Sequence, residues 1–549
     1  MRAPARSALT TAIACVSFAL ATTAANGPRF FRDDPIQRDP ETVDASSVEP
    51  SELSGLYDFA ENSFFGAGDK TDKRAVNVNT IDEVPDSSWF TNRLGREPWT
   101  ADRLAKGPDT GSGPSGAWTI VSGKMEGRAP GFTIRDAARQ LYFVKFDPPS
   151  NPEMASGAEV ISTKLFHAFG YHVPENYIAS VQRESLVIGD GAQIEDNSGR
   201  KRQMDSRDLD MLLERAAKHA DGTYRALASK ALDGKPVGPF RYHGTRPDDP
   251  NDIFPHEHRR ELRGLRAFCA WLNHDDSRSI NSLDTLVSAN GKTIVRHHLL
   301  DFGSTLGSGT VQAQSTRAGN EFLWESRPTF VTMLTLGLYV RPWIKVDYPH
   351  ITSLGRIESA YFNPENWKPE YPNAAFANAR GDDLFWAARI LSAVTDDGVR
   401  AVVATAKYSD SNAAEYLVKT LLERKRKVLA AWLNKTNPVV NAALSGGGEL
   451  TFENAPEKAG VGPAAERYTI QWSQFDNAAS THKNVGAEQT VTTTKASAPA
   501  ELLSARPEYV AAMIRAHHRD RPDWAQPLLL YFRKAGDGWS LVGVERHAQ

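Results

Sequence analysis

The amino-acid sequence predicts an α+β protein with several domains, and three features of the chain lead to that expectation. The chain has 549 residues, of which 40% are hydrophobic and 9% aromatic, enough for more than one packed core. Between residues 117 and 200, short alternating apolar runs indicate strands, whereas helices dominate residues 206–437. Near the C-terminus, LLLYFRK-AGDG-WSLVGVER has two alternating runs around a turn, which predicts a β-hairpin.

The N-terminus has the layout of a secretory signal peptide over residues 1–25. Arg2 and Arg6 precede a short apolar stretch that ends in small residues. The stretch is too short and too rich in Ala and Thr for a membrane span. We therefore expect a periplasmic or secreted protein with no transmembrane segment after signal removal. Cleavage would leave Cys269 as the single cysteine, so no internal disulfide is expected.

Charge is nearly balanced along the chain, with 64 basic and 67 acidic residues and a net charge of -3. This balance argues against a strong attraction of the whole chain to nucleic acid or to anionic lipid, and no nucleic acid is expected as a partner. The basic run ERKRK at 423–427 lies in a predicted helix at 415–433. We interpret the run as a solvated face, because the predicted buried stripe of that helix consists of Leu417, Leu421, Val428 and Trp432.

Composition and periodicity divide the chain after the signal peptide into five segments. Glycine- and proline-rich stretches mark the boundaries between them. The segments are an N-terminal extension at 26–116, a strand-rich part at 117–200, a helical part at 201–442, a linker at 443–466 and a small β-rich module at 467–549.

A lysine and a glutamate in the middle of the chain each need a counter-charge. FTIRD-AARQ-LYFVKF at 132–146 predicts a hairpin, and alternation places Lys145 among apolar residues of its second strand. MASGAEVISTKLFHAFG at 154–170 predicts a helix in which Glu159 shares a face with small and apolar residues. An edge-strand lysine and a boundary glutamate, both reaching solvent, are the alternative interpretations. Because unpaired charges are costly to bury, we expect the two side chains to pair.

Further polar residues follow a predicted helix that ends near Asn273. Asp276 closes the tripeptide His274-Asp275-Asp276, and Asn281 comes five positions later. A predicted hairpin then leads into Asp301-Phe302-Gly303. Phosphoryl transfer needs cations to neutralise the triphosphate and a group that holds the attacking hydroxyl in line. The ordered set of Lys, Glu, Asp, Asn and Asp therefore predicts a phosphoryl-transfer site.

Residues from about 117 to 435 resemble the protein-kinase-like superfamily. The closer likeness is to its atypical branches, namely HipA-like toxin kinases, phosphatidylinositol-kinase-like proteins and secreted kinases of the Golgi type. The resemblance implies a two-lobed fold, with a small sheet-rich lobe and a larger helical lobe, and ATP with Mg²⁺ or Mn²⁺ as cofactors. It also implies site roles: nucleotide binding by Ser122, Gly123, Gly127 and Lys145, support of the lysine by Glu159, catalysis by Asp276, and metal binding by Asn281 and Asp301.

The sequence departs from the kinase pattern in three places. Asp275 stands where the arginine of H-R-D is usual, so pairing with a phosphorylated activation loop is not expected. The glycine loop lacks strict G-x-G-x-x-G spacing, and no A-P-E motif follows Asp301-Phe302-Gly303. The acceptor, a protein or small molecule, stays open, as does transfer of AMP instead of phosphate. The alternative function is a nucleotide-binding pseudokinase, sensor or scaffold without catalysis.

A metallohydrolase is the rival from another class. A zinc site needs three ligands that converge on one point. His297 and His298 are neighbours on a predicted strand, so they point to opposite faces. The sequence has neither an H-E-x-x-H motif nor the G-x-S-x-G motif of serine hydrolases. The possible ligands would be His256, His258, His274, His297 and His298, with Asp275 and Asp276.

Overall fold

The computed structural model describes residues 27–124, 131–195 and 200–546, so the predictions for residues 1–25 and Gly127 lie outside it. These ranges form an α+β protein, which confirms the predicted mixed class. Its helices are α1 Gly55–Ala60, α2 Ala101–Lys106, α3 Met154–Phe169, α4 Ser206–Glu214, α5 Arg260–Leu272, α6 Ser326–Leu334, α7 Ala374–Ala377, α8 Gly381–Ser392, α9 Asp396–Ala404, α10 Ser411–Trp432, α11 Ala455–Lys458 and α12 Ala500–Ser504.

The first sheet has seven strands in the order β4-β7-β3-β2-β1-β5-β6. Only β1 and β5 pair in parallel within it. The sheet extends beyond residue 200, because β7 returns to pair between β3 and β4. The strands are β1 Trp118–Lys124, β2 Gly131–Arg135, β3 Leu141–Phe146, β4 Asn176–Val181, β5 Leu186–Glu195, β6 Lys201–Gln203 and β7 Tyr224–Lys230.

Alternation along β3 places its lysine as the sequence predicts. Tyr142, Val144 and Phe146 are buried in the apolar core of the seven-stranded sheet. Lys145 therefore lies on the opposite face, together with Phe143, which is half exposed. The antiparallel pairing of β2 with β3 confirms the predicted hairpin.

A second core lies among the long helices. Phe169 of α3 stacks on Phe268 of α5, with ring centroids 4.0 Å apart. The predicted apolar stripe of α10 is buried in this core. The prediction of a solvated basic face on α10 is wrong for two residues, because Arg424 and Lys425 are buried. Arg424 donates from Nε to Trp271 O at 2.8 Å, so it binds a carbonyl at the C-terminal end of α5.

A three-stranded sheet follows, with β8 Lys235–Gly238, β9 Ser282–Ala289 and β10 Lys292–Leu299 in the order β10-β9-β8. Asn290 and Gly291 join β9 to β10 with φ of 50° and 76°. Two successive positive φ values are typical of the tight hairpin turns that suit twisted strands. The hairpin returns the chain to its start, where Leu300 N donates to Asn281 O at 2.9 Å.

The C-terminal part contains two further sheets. Residues 443–466, predicted as a linker, hold β12 and α11 as well as the end of β11. The predicted terminal hairpin is present as β18 and β19. One sheet has the order β11-β12-β16, and the other β14-β13-β17-β18-β19 with β15 also on β13. The strands are β11 Val439–Leu444, β12 Glu449–Asn454, β13 Arg467–Asp476, β14 Thr481–Asn484, β15 Gln489–Val491, β16 Lys495–Ser497, β17 Tyr509–His517, β18 Leu528–Ala535 and β19 Gly538–Arg546.

The N-terminal extension joins the other parts of the molecule. Phe30 packs in an aromatic cluster with Phe475 and Tyr531 of the C-terminal sheet. Asp82 accepts a hydrogen bond from Arg260 Nη1 of α5 at 2.6 Å. The extension is thus packed against both the helices and the terminal sheet. Across the described ranges, no helix combines the length and the apolarity that crossing a membrane requires.

Candidate active site

Lys145 and Asp301, which are 156 positions apart in the chain, form an ion pair. Lys145 Nζ donates to Asp301 Oδ1 at 2.8 Å, and the two side chains are 45% and 46% exposed. The charge of Lys145 lowers the pKa of Asp301, although burial opposes that shift. Burial alone would lower the pKa of Lys145, but the charges of Asp301 and Glu159 raise it. Both groups are therefore charged at neutral pH and accessible to a ligand.

Glu159 binds the backbone that follows Asp301. Its Oε1 accepts hydrogen bonds from Phe302 N at 3.0 Å and from Asn176 Nδ2 at 3.2 Å. The expectation of a direct contact between Lys145 and Glu159 is wrong, because among the described residues the carboxylate in contact with Lys145 is that of Asp301. Glu159 instead acts on Lys145 by charge alone.

The second carboxylate oxygen of Glu159 has an unusual environment. Glu159 is only 3% exposed, and its Oε2 has no hydrogen-bond partner among the described residues. A Cβ at Gly303 would lie 3.0 Å from this oxygen, so glycine leaves the space that the carboxylate fills. Burial raises the pKa of Glu159 to about 7, against the opposing charge of Lys145. A carboxyl group at this site can therefore gain or lose a proton near neutral pH.

Asp276 and Asn281 are joined through the backbone of their loop. Asn281 Nδ2 donates to Asp276 O at 2.8 Å, so its amide oxygen is the side-chain atom that can bind a cation. Burial raises the pKa of Asp276 to about 6, while Arg278 lowers it and Glu370 raises it further. Arg278 contacts the Asp276 carboxylate, and its Nη1 lies 3.1 Å from Glu370 Oε2. Asp276 is thus ionised at pH 7 yet more basic than an ordinary aspartate.

Three rings hold the two loops against α3. Phe302 stacks on Phe166 with ring centroids 4.8 Å apart. His274 lies 5.7 Å from Phe302 and 5.9 Å from Phe166, measured between ring centroids. Burial lowers the pKa of His274 to about 4, so the imidazole is neutral and packs as an apolar ring. This packing sets the position of Asp276 relative to Asp301.

Asp301 has a left-handed backbone conformation, with φ 58° and ψ 57°. Such a conformation is uncommon for residues other than glycine and occurs often at functional sites. It turns the chain sharply from β10 into the short helical turn Phe302–Ser304. Packing of Phe302 and the hydrogen bond from its backbone N to Glu159 fasten this turn.

Asp275 is buried and turned toward the segment after residue 305. Its Oδ1 accepts from Gln314 Nε2 at 3.3 Å, and its backbone O accepts from Glu370 N at 2.8 Å. Burial raises the pKa of Asp275 to about 8, and the neighbouring charge of Asp276 raises it further. The side chain is therefore mainly protonated at pH 7.

Two of the residues predicted to cover the phosphates, Ser122 and Gly123, lie near the end of β1. Register places Lys124 opposite Gly131, and Gly131 opposite Lys145. Lys124 and Gly131 are thus in register with the lysine, and Gly127 lies outside the described residues. A Cβ on Gly123 would meet Met204 Sδ at 3.3 Å, so Gly123 faces the apolar core. Ser122 is half-buried on the same strand.

The described residues contain no group of three or more His, Cys, Asp or Glu placed to hold a metal ion. Two of the possible zinc ligands are bound to carboxylates: His256 Nε2 lies 2.6 Å from Asp252 Oδ2, and His297 Nδ1 lies 2.7 Å from Asp284 Oδ1. Asn281 and Asp301 supply only two oxygen ligands. Two oxygen ligands suit Mg²⁺ or Mn²⁺, whose coordination is usually completed by water and phosphate oxygens.

Sequence reasoning missed the contribution of the N-terminal extension. Asp58 of α1 is fully buried, and its Oδ1 accepts from Ser279 Oγ at 3.0 Å. Its Oδ2 accepts from the hydroxyl of Tyr371. Ser279 lies between Asp276 and Asn281, so Asp58 braces the loop that carries both. The stretch GLYDFA around Asp58 contains no motif that could have signalled this contact.

No protein-family model matches this chain, and neither a curated protein nor a solved structure matches it. The function is therefore argued from the residues themselves. Four of them carry most of the argument, namely Lys145, Asp276, Asn281 and Asp301, which the fold connects through direct contacts or through adjacent backbone.

Proposed function

We propose that this protein is a kinase-like phosphotransferase that moves a phosphoryl group from ATP to an acceptor. The ion pair between Lys145 and Asp301 carries the proposal. Strand alternation singles out Lys145, and the Asp-Phe-Gly tripeptide singles out Asp301, as candidate site residues. Their ion pair is accessible to solvent. The seven-stranded sheet and the long helices would be the small and large lobes of a kinase-like fold. The signal-like residues 1–25 support export to the periplasm or beyond.

Each charged group has a role that follows from its surroundings. Lys145 binds the α- and β-phosphates of ATP, because it is an accessible cation. Asn281 and Asp301 would hold Mg²⁺ or Mn²⁺, which when bound would neutralise charge on the transferring phosphate. Glu159 fixes Phe302 N and so keeps the Asp301 carboxylate in place.

Asp276 acts on the acceptor hydroxyl. The carboxylate takes the hydroxyl proton as the new bond forms between the acceptor oxygen and the γ-phosphorus. The bond from the γ-phosphorus to the bridging oxygen breaks, and ADP leaves with the electron pair. The pKa of about 6 suits this role, because Asp276 is ionised at pH 7 and binds a proton more readily than an ordinary aspartate. Transfer of AMP would use the same groups with the nucleotide reversed.

A nucleotide-binding pseudokinase, sensor or scaffold is the second candidate, and one contact favours it. Arg278 forms an ion pair with the Asp276 carboxylate. This ion pair must break before the carboxylate can accept a proton. In a pure binding protein that contact would persist with nucleotide bound. In an enzyme, the acceptor would displace Arg278 toward Glu370, its other partner.

A thermal-shift titration with ATP tests the nucleotide site. ATP with Mg²⁺ or Mn²⁺ should raise the melting temperature, because a ligand that binds only the native state stabilises it. Asp301→Ala should abolish the metal-dependent part of the shift, whereas Asp190→Ala, an exposed aspartate on β5, should keep it. Absence of any shift with wild-type protein, nucleotide and either metal would reject the phosphotransferase and the nucleotide-binding pseudokinase, and would favour a scaffold without catalysis.

A further inference from the structure

A loop at residues 321–343, here called the apolar loop, projects from the molecule and is fastened at its base. Glu321 is only 6% exposed. Its Oε1 accepts from Arg341, and its Oε2 accepts from Trp343 Nε1 at 3.0 Å. Arg341 Nη2 also donates to Thr332 Oγ1 at 3.3 Å. The two ends of the loop are thus tied together, and the residues between them form a defined projection.

The projecting part is apolar and exposed. Helix α6 has no buried residue. At the tip, Leu336 is 92% and Leu338 is 84% exposed, and Leu336 has a positive φ of 49°. Continuous exposure of large apolar side chains is unfavourable in water and marks an interaction surface. The other large apolar residues exposed on this loop are Leu323, Trp324, Phe330, Met333, Leu334, Tyr339 and Val340.

The exposed surface continues onto the N-terminal extension. Trp324 lies 6.3 Å from Phe64, measured between ring centroids. Phe65, next in the chain, is 81% exposed. The apolar area therefore spans two segments that are far apart in sequence, which is larger than a scatter of single exposed residues.

The projecting residues 326–346 carry charges of one sign, between Glu325, which pairs with Lys368, and the exposed Asp347. Residues 326–346 include Arg327, Arg341 and Lys345 but no aspartate or glutamate. Arg341 pairs with Glu321 within the loop, whereas Arg327 on α6 and Lys345, just after the loop, are exposed. Exposed apolar residues flanked by basic and aromatic side chains are typical of segments that lie in the interface of a membrane.

We propose that the apolar loop docks on a lipid bilayer that contains anionic lipids. Leu336 and Leu338 enter the boundary between headgroups and acyl chains, and Arg327 and Lys345 contact the anionic headgroups. A second copy of the chain fits less well, because a two-fold contact through this loop would bring like charges together. Docking depends on these residues alone and not on the proposed phosphoryl transfer.

The loop begins beside the candidate active site. Leu323 N donates to Glu370 O at 2.6 Å, and the Glu370 side chain contacts Arg278. Arg278 in turn contacts Asp276. The base of the loop is therefore linked to Asp276 through Glu370 and Arg278.

Vesicle flotation with the full chain tests the docking. Wild-type protein should float with vesicles of equal parts phosphatidylcholine and phosphatidylglycerol, and more weakly with phosphatidylcholine alone. Leu336→Asp combined with Leu338→Asp should weaken binding at least about tenfold. Ile253→Asp, which changes an apolar residue 70% exposed elsewhere, should leave binding unchanged. Equal binding by the double variant, or no binding by wild type, would overturn the proposal.

A local probe separates the loop from any effect of residues 1–25. A polarity-sensitive fluorophore on Leu336→Cys should shift to shorter wavelength when the anionic vesicles are added, and the same label on Ile253→Cys should not. Arg327→Gln with Lys345→Gln should reduce the response to anionic vesicles more than to neutral ones. Unchanged emission from position 336, or a dimer that the Leu336→Asp substitution dissociates, would reject the bilayer as the occupant.

Discussion

Two charged clusters in this molecule differ in burial and in how many of their polar atoms have hydrogen-bond partners. The arginine cluster consists of Arg260, Arg263, Asp82, Asp382 and Asp383, and the lysine site consists of Lys145, Glu159 and Asp301. In the arginine cluster, all three nitrogens of Arg260 donate to carboxylate or carbonyl oxygens, and the side chain is fully buried. In the lysine site, Lys145 and Asp301 are nearly half exposed, and Glu159 Oε2 has no partner among the described residues.

The difference separates a structural role from a functional one. Arg260 binds Asp82 of the extension and both aspartates of α8, so it joins three parts of the chain. Removing one partner from such a network leaves an uncompensated buried charge, which is strongly unfavourable. The lysine site has accessible charges and a carboxyl with a pKa raised to about 7 by burial. Its groups can therefore exchange their partners for a ligand at little cost to the fold.

The largest effect that we predict concerns Asp276, the proposed proton acceptor, whose side chain is 17% exposed and in contact with Arg278. Asp276→Asn should lower ATP turnover, measured as ADP release with Mg²⁺ or Mn²⁺, by about 10²- to 10⁴-fold. The substitution removes the proton acceptor and keeps its shape. ATP binding should stay unchanged, because Lys145 and Asp301 remain. Turnover equal to that of wild type would remove Asp276 from the mechanism, and Asp190→Asn provides the matched control.

The second prediction compares how much a substitution in each cluster changes the free energy of unfolding. Arg260→Met should lower the free energy of unfolding by about 3–5 kcal/mol, because it leaves buried carboxylates without their cation. Lys145→Met should change it by less than about 1 kcal/mol, because its ion pair is nearly half exposed.

Urea unfolding followed by tryptophan fluorescence measures both changes. Arg74→Met is the control next to the arginine cluster, since Arg74 contacts the same Asp382 from an exposed position. Similar losses in the free energy of unfolding for Arg260→Met and Lys145→Met would show that exposure does not decide how much each cluster contributes to stability.

The third prediction uses Asp275, whose pKa rises from 3.8 to about 8 on folding because the side chain is buried. Between these pH values the unfolded chain has released the proton and the folded chain has kept it. Stability therefore falls as pH rises through this range and levels off above about pH 8. Asp275→Asn removes the titration. The stability difference between wild type and variant should change by roughly 2 kcal/mol between pH 6 and 8. A difference independent of pH would contradict this assignment.

Local patterns in the sequence predicted the elements of the site well. The period of two in β3 and the helical period of α3 place Lys145 and Glu159 correctly on their elements. The partner of Lys145 was not predictable in the same way. It depends on where the turn after β10 places Asp301, and a conformation with φ 58° is not encoded by a local pattern.

Contacts between residues distant in sequence also explain two other differences between the prediction and the structure. Arg424 lies in a basic run that periodicity assigns to solvent, but the carbonyls at the end of α5 bind it in the interior. Residues 443–466 have the glycine content of a linker, yet Leu450 and Phe452 of β12 are buried in the terminal core. Both outcomes depend on elements distant in sequence, whose positions follow from packing.

The smallest effect that we predict tests whether the extension positions the site or only stabilises the fold. Asp58 lies in a closed, buried environment like the arginine cluster, but its partners Ser279 and Tyr371 belong to the surroundings of Asp276. Asp58→Asn keeps the size of the side chain and weakens one charge-assisted hydrogen bond. We expect ATP turnover to fall about tenfold, which corresponds to about 1.4 kcal/mol, with no change in the affinity for ATP. A purely structural role would instead lower the melting temperature and leave turnover per folded molecule unchanged. Asn62→Ala, which removes the hydrogen bond that Asn62 Nδ2 donates to Asp58 Oδ1, serves as the comparison because Asn62 is bonded to neither Ser279 nor Tyr371.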